Sequence, residues 1–428
     1  MDKIKVVIIG AGLRGANTYG KYLEKYPDIC EIIGVVEPKK ERRDLFKQRY
    51  NIEDKYVFEK LEDFFKYEKI ADAVIIANND DGHYEPTKIA LEKGYHILLE
   101  KPMANTLDKI IHLDELCDEY KDRVFMVSHV LRYTPFFNKL KEIVQSKELG
   151  DLISIQHNEN IGYWHFAHSF TRGNWRNSSD TSPLILAKSC HDMDILLYLA
   201  GSKCKKVSAF GELSYFKGDN FKEEMGENCF SCKVEENCPY SAKKIYLNNK
   251  RDINYAVHMN PTEENLNEIL QKGPYGRCVY KCDNNVVDNM VSILQFENNI
   301  TATFNLSAFT KDCNRTIKLM FSHGEVGGSL MENTIRIKVF GKDEDTVINI
   351  DTDASGHGGG DATLLKDFLY AIKENSLDRV KSSAKNSVDS HIMAFAAEYA
   401  RISDEVVYID EFFENAIDTT NQIENTIF

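Results

Sequence analysis

A short run of β-branched residues, Lys3-Ile-Lys-Val-Val-Ile-Ile9, ends in a glycine turn, Gly10-Ala11-Gly12-Leu13-Arg14-Gly15. An apolar run of this length reads as a strand buried on both faces. A G-x-G-x-x-G turn between such a strand and a helix gives each glycine its own task. The first permits the tight turn, the second lets a pyrophosphate approach the backbone, and the third packs helix on strand. The helix N-terminus then offers N–H groups to phosphate. Gly10, Gly12, Leu13, Arg14 and Gly15 are therefore expected to cradle a dinucleotide. Glu37 ends the next strand, 22 residues past Gly15. A carboxylate there accepts hydrogen bonds from ribose hydroxyls and repels a 2′-phosphate, which favours NAD over NADP. Lys39, Lys40, Arg42 and Arg43 follow it and pull the other way.

Strands at 30–37, 71–77, 96–99 and 124–129 alternate with helical stretches at 38–50, 85–93 and 106–120. This rhythm predicts a parallel, doubly wound sheet. After residue 130 it changes. A helix at 135–146 precedes strands at 152–158, 207–212, 291–296, 300–306, 317–321 and 334–339, and helices at 364–373 and 387–402 close the pattern. The expected fold class is α/β: an N-terminal Rossmann dinucleotide-binding domain, then a C-terminal α+β domain with a mostly antiparallel open sheet. The expected boundaries are 1–130, 131–405 with a Cys-rich insertion at about 215–285, and an acidic tail at 406–428. A chain of 428 residues is too long for one small core.

The formal net charge of −14 disfavours binding to nucleic acid or to anionic membranes. No apolar run approaches the roughly 20 residues that span a bilayer. Met1-Asp2-Lys3 leads straight into a strand with no apolar segment of signal-peptide type, so the cytoplasm is the expected location. In that compartment the ten cysteines should be thiols or metal ligands.

The stretch from Asn78 to Pro102 narrows the reading. His83, Ala90-Leu91, Gly94 and His96-Ile97-Leu98-Leu99-Glu100-Lys101-Pro102 together resemble the glucose–fructose oxidoreductase / inositol dehydrogenase (Gfo/Idh/MocA) family. Glu-Lys-Pro after a strand is the most specific mark. The resemblance implies hydride transfer between a nicotinamide and a secondary hydroxyl of a sugar, polyol or derivative. It places Asn78, His83, Glu100 and Lys101 about the cofactor. It also implies a homo-oligomer, a dimer or tetramer, assembled through the C-terminal sheet. Lys101, at the carboxyl end of a parallel strand, faces the crevice where ligands sit and is the expected catalytic lysine.

The segment Pro183–Leu197 resembles the family helix that faces the nicotinamide. That helix often carries an aspartate four residues before a histidine. Here His191 is present, Ala187 stands in the aspartate's place, and Lys188 lies three residues before the histidine. His191 is expected to be the general acid/base, with Lys188 lowering its pKa or orienting a substrate hydroxyl or carboxylate. Because of this departure a second reading stays open: an NAD-retaining redox lyase or glycosidase on the same scaffold. A third is a non-enzymatic NAD-binding regulator.

Arg132 and Tyr133 follow a strand end, and with Trp175 and Asp194 they are the substrate candidates. The run Tyr163–His168 concentrates aromatics and histidines, and aromatic faces stack on sugar rings. His357, in a Gly-rich loop, is within possible reach of the pocket. Finally, Cys229-x2-Cys232-x5-Cys238 and Cys278-x3-Cys282 lie in polar, loop-like sequence. Four of these five would complete a tetrahedral structural zinc site, with an iron–sulfur cluster as the alternative.

Overall fold

The computed structural model describes residues 3–248, 253–352 and 356–417. Strands β1 (Ile4–Ile9), β2 (Cys30–Val36), β3 (Val57–Phe58), β4 (Ala73–Ile76), β5 (His96–Leu99) and β6 (Phe125–Val127) form one parallel sheet. Its order is β3-β2-β1-β4-β5-β6. The chain winds outward from β1 to β3, then restarts at β4 on the other side of β1. The carboxyl ends of β1 and β4 thus bound a topological switch point, where α/β sheets bind ligands.

Alternate residues of β1 enter opposite layers. Val6 and Ile8 join one core, Val7 and Ile9 the other. A parallel sheet needs both faces covered, and here the far end of the chain supplies part of the cover. Leu364, Leu365, Phe368 and Leu369, from helix Gly360–Glu374, complete the first layer. Val388 and Ile392, from helix Ala384–Ser403, join Ile110 and Leu113 in the second.

The second sheet has nine strands: β7 (Leu152–Asn160), β8 (Cys204–Glu212), β9 (Asn289–Phe296), β10 (Thr301–Ser307), β11 (Asn314–Phe321), β12 (Gly324–Ser329), β13 (Thr334–Val339), β14 (Thr346–Asn349) and β15 (Val407–Tyr408). Their order is β14-β13-β12-β11-β7-β10-β9-β8-β15. Among the described residues only the β7–β10 pair of this sheet is parallel. Rossmann domain plus mostly antiparallel sheet is the class expected from the sequence.

Side chains alternate along β9 and β10. Met290, Leu294, Ala302, Phe304 and Leu306 face inward, where helices Cys190–Ala200 and Ala384–Ser403 cover the sheet. The opposite face leaves Phe210, Val291 and Ile293 exposed. β12, β14, β15 and helix Glu263–Lys272 are additions to the expected elements: Gly324-Glu-Val-Gly-Gly-Ser329, for example, has no periodic apolar signal. Among the described residues no helix is long and apolar enough to cross a membrane.

Candidate active site

The glycine turn has the geometry its spacing demands. Gly10 sits at φ +92°, and a Cβ there would lie 2.7 Å from the Asn78 backbone nitrogen. A Cβ on Gly15 would lie 1.9 Å from the Gly10 carbonyl oxygen. Gly12 is different: the nearest atom to its added Cβ is Arg42 Nη1 at 3.5 Å, so backbone is open to a ligand there. Glu37 is buried at the end of β2. Its carboxylate accepts the Ala11 and Lys39 N–H groups, each at 2.9 Å, which fixes it against the turn.

Arg14 ties this turn to distant parts of the chain. Its guanidinium donates to Glu100, to Tyr19 Oη at 2.9 Å and to Asp361 at 2.7 Å. Glu100 also accepts Tyr19 Oη–H at 2.6 Å and the Lys101 N–H at 3.0 Å. Burial opposes the charge on Asp361, but Arg14 and then His357 beside it outweigh burial and hold its pKa well below the carboxylate range.

Lys101 lies two residues past the end of β5 and is joined to Pro102 by a cis peptide, and its Nζ donates to the Ala187 carbonyl at 2.6 Å. His191 lies in the first turn of helix Cys190–Ala200 and lines the same cavity. Its Nδ1 is buried and has no hydrogen-bond partner among the described residues. Burial, reinforced by the charge of Lys101, lowers its pKa well below the usual imidazole value, so the ring is neutral near pH 7. Asp80, in the loop after β4, also faces the cavity. It accepts Trp175 Nε1–H at 3.1 Å and Ser182 Oγ–H at 3.3 Å. Burial raises its pKa, against the opposing pull of His83 and Lys101.

A second layer holds two cations at the wall. Lys188 Nζ lies 3.2 Å from Glu159 Oε1. Arg315, on β11, contacts Asp192 at 2.8 and 3.2 Å and Glu159 at 2.7 Å. His157 Nε2 completes the group, 2.8 Å from Asp192.

Of the residues singled out from the sequence, Gly12, Leu13, Arg14, Asn78, Glu100, Lys101, Trp175, Lys188 and His191 line this one cavity, and His165 and His357 join them. His83 stands behind it. Its ring bridges the Pro102 and Asn78 carbonyls at 2.6 and 3.1 Å, bracing the two loops that carry Lys101 and Asn78.

Three substrate candidates fall elsewhere. Arg132 and Asp194 form a buried two-pronged ion pair, with both contacts at 2.7 Å. Tyr133 is buried, and its hydroxyl accepts the Lys381 and Ser382 N–H groups. None of the three lines the cavity; Arg132 and Asp194 hold helix to helix, and Arg132 and Tyr133 also hold the loop at Lys381–Ser382.

The metal expectation is also corrected. Cys229, Cys232, Cys238 and Cys278 line a separate cavity with Arg172. Yet among the described residues no three His, Cys, Asp or Glu side chains are grouped to hold an ion, whether zinc or iron–sulfur. Two of the thiols are engaged otherwise. Cys229 Sγ accepts the Ala242 N–H at 3.3 Å and an Arg172 N–H at 3.6 Å, and Cys282 donates to the Cys278 carbonyl at 3.3 Å. Burial pushes the Cys278 thiol up to about 11, which favours its protonated form. The insertion nevertheless reaches the first cavity, which Ile253, Ala256 and Tyr275 help to wall. Tyr275 stacks on His168 with ring centroids 4.9 Å apart.

Asp80 and Arg315 escaped sequence reasoning. Asp80 stood two residues past Asn78, in a loop already marked, whereas Arg315 occupies an ordinary strand position with no local signal.

The open backbone at Gly12, the helix N-terminus after it and the carboxylate of Glu37 fit a dinucleotide. Two family models match the chain. One, described as an oxidoreductase family with an NAD-binding Rossmann fold, covers residues 4–129. The other, the C-terminal alpha/beta domain of an oxidoreductase family, covers residues 141–423. Over 388 residues the chain is 25% identical to YteT of Bacillus subtilis (strain 168), a protein whose name gives it as an oxidoreductase. That match covers 85% of this chain and 88% of YteT. An inositol 2-dehydrogenase of Corynebacterium glutamicum (strain R) is 27% identical over 208 residues, 48% of this chain and 56% of that one. Among solved structures, a levoglucosan dehydrogenase in complex with NADH and levoglucosan superimposes with a TM-score of 0.72 at 16% identity, over 95% of this chain and 100% of that one.

Proposed function

The chain belongs to the Gfo/Idh/MocA oxidoreductase family, and on that premise we propose that it moves hydride between NAD and a secondary hydroxyl of a sugar, polyol or derivative. One observation carries the reading: Lys101 and His191, 90 positions apart in the sequence, meet in a single cavity with the glycine turn. The names of two relatives, an inositol 2-dehydrogenase and a levoglucosan dehydrogenase, support a hydroxyl on a ring as the reacting group.

NAD held at Gly12 and Glu37 would supply the hydride acceptor. The chain's own residues do the rest. Lys101 Nζ, steadied by the Ala187 carbonyl, donates a hydrogen bond to the substrate oxygen. His191 is neutral, so it can take the hydroxyl proton during oxidation and return it during reduction. Trp175, anchored on Asp80, offers a flat apolar face to a sugar ring.

Purified protein with NAD and a panel of sugars and polyols should give steady NADH formation with at least one of them. Glycoside cleavage without net NADH would instead support the redox lyase or glycosidase. Tight NAD binding without turnover of any kind would leave a regulator.

Glu37 sets the cofactor preference. We expect NAD to bind about tenfold or more tightly than NADP, the order of one charged hydrogen bond kept against one charge repelled. Glu37→Ala should narrow that ratio; tighter NADP binding by the wild type would contradict the assignment.

The exposed Phe210, Val291 and Ile293 supply an apolar face for self-association, and a homo-oligomer built on the second sheet is part of this reading. The paired change Val291→Asp and Ile293→Asp should reduce the mass measured by light scattering without lowering helix content. An unchanged mass would place assembly elsewhere.

A further inference from the structure

Among the described residues, five Lys and Arg side chains line the catalytic cavity against two carboxylates, Asp80 and Glu100. Both carboxylates have partners already: Glu100 holds Arg14, and Asp80 holds Trp175 and Ser182. Arg14 and Arg42 sit by the glycine turn, and Lys101 sits at the reacting centre. Lys188 and Arg315 remain. They come from the segment leading to His191 and from β11, so they belong to the substrate side.

The carboxylates that orient them, Glu159 and Asp192, are 2% and 0% exposed and do not line the cavity. The cations therefore face inward with their counter-charges behind them. Lys188 has used one of its three donors, on Glu159, and Arg315 has used its Nε and Nη2 groups. Among the described residues, donors at Lys188 Nζ and Arg315 Nη1 have no further partner and are left for a ligand. Ala187, which also lines the cavity, carries no charge that would repel an anion.

We propose that the substrate is a sugar acid, whose carboxylate is read by Lys188 and Arg315 while its hydroxyl meets Lys101 and His191. This rests on the dehydrogenase reading above. A monoanion suits the site better than a phosphate dianion, because Glu159 and Asp192 already balance the charges of Lys188 and Arg315, and Lys101 adds only one more.

The test is calorimetric titration of the enzyme–NADH complex with matched ligands: glucuronate against glucose, galacturonate against galactose, gluconate against glucitol, and glucose 6-phosphate. At least one acid should bind roughly 10- to 100-fold more tightly than its neutral partner, the range of one or two charge-assisted hydrogen bonds. Lys188→Met should abolish that preference and Lys188→Arg retain it, with unchanged melting curves showing that both variants fold. Three outcomes would overturn the proposal: no acid outbinds its neutral partner, the phosphate outbinds every acid, or Lys188→Met keeps the preference. NADH formation is scored separately. An acid that binds tightly while nothing is oxidised refutes the dehydrogenase reading and leaves the carboxylate site standing. A neutral sugar oxidised with no preference for its acid refutes only the site.

Discussion

Replacing Lys101 by alanine should lower kcat by about 10²- to 10⁴-fold, the range lost with a positioned proton-transfer group. The dissociation constant for NAD should change little, because the cradle at Gly10, Gly12 and Glu37 is built without the Lys101 side chain. The fold should survive as well: the ammonium's partner is a carbonyl at the cavity wall, which water can serve in its place. A fall in kcat at constant cofactor affinity is the signature of a group acting on the reacting atoms. His191→Ala should behave alike. Because burial and Lys101 depress the His191 pKa, the acid limb of kcat/KM should lie below pH 6.5, not at it. Wild-type turnover in both variants would remove these residues from the reaction.

The second large effect concerns stability. Of the histidines buried among the described residues, four bear on the pH profile: His129, His168, His191 and His391. Burial is the leading cause that lowers each pKa, to about 3 for both His168 and His391. The unfolded chain binds protons at these sites near pH 6.5, and the folded chain does not. Their contribution is therefore fully present above pH 6.5 and is lost as pH falls toward the folded-state values. Each group that stays neutral removes about 1.4 kcal/mol per pH unit in that window. The unfolding free energy from urea titrations should fall steadily between pH 7.5 and pH 5, by about 2 kcal/mol for each such group and about 8 kcal/mol for the four. Carboxylates held low, such as Asp361, act in the same direction but only below about pH 4, so the two windows separate. A flat profile between pH 7 and pH 5 would mean that these rings are protonated in the native state.

Local placement was the legible part. The glycine turn, Glu37 and Lys101 could be read because each depends on its neighbours: a strand before, a helix or proline after. His191 was legible through its spacing from Ala187. What escaped is pairing over distance. Arg132 and Asp194, 62 positions apart, each look like a ligand group until the structure shows that they hold each other. Arg315 looks like one of many strand arginines until β11 brings it to Asp192, 123 positions away. The cysteines fail in a third way. Their spacing does bring four of them to one cavity, but spacing fixes neither the direction of a thiol nor the donors that occupy it.

The two helices that return from beyond residue 360 bear on how such a chain can be recombined. They lay Phe368 on one side of the first sheet and Ile392 on the other, so the nucleotide-binding half is sealed by helices that follow it by more than 200 positions in the chain. Cutting at residue 130 would not release a transplantable module; it would leave two bare apolar surfaces. A ribosome-bound N-terminal half lacks this cover until the C-terminal helices emerge. Any graft of this cofactor site onto another protein would have to carry residues 360–403 along with it.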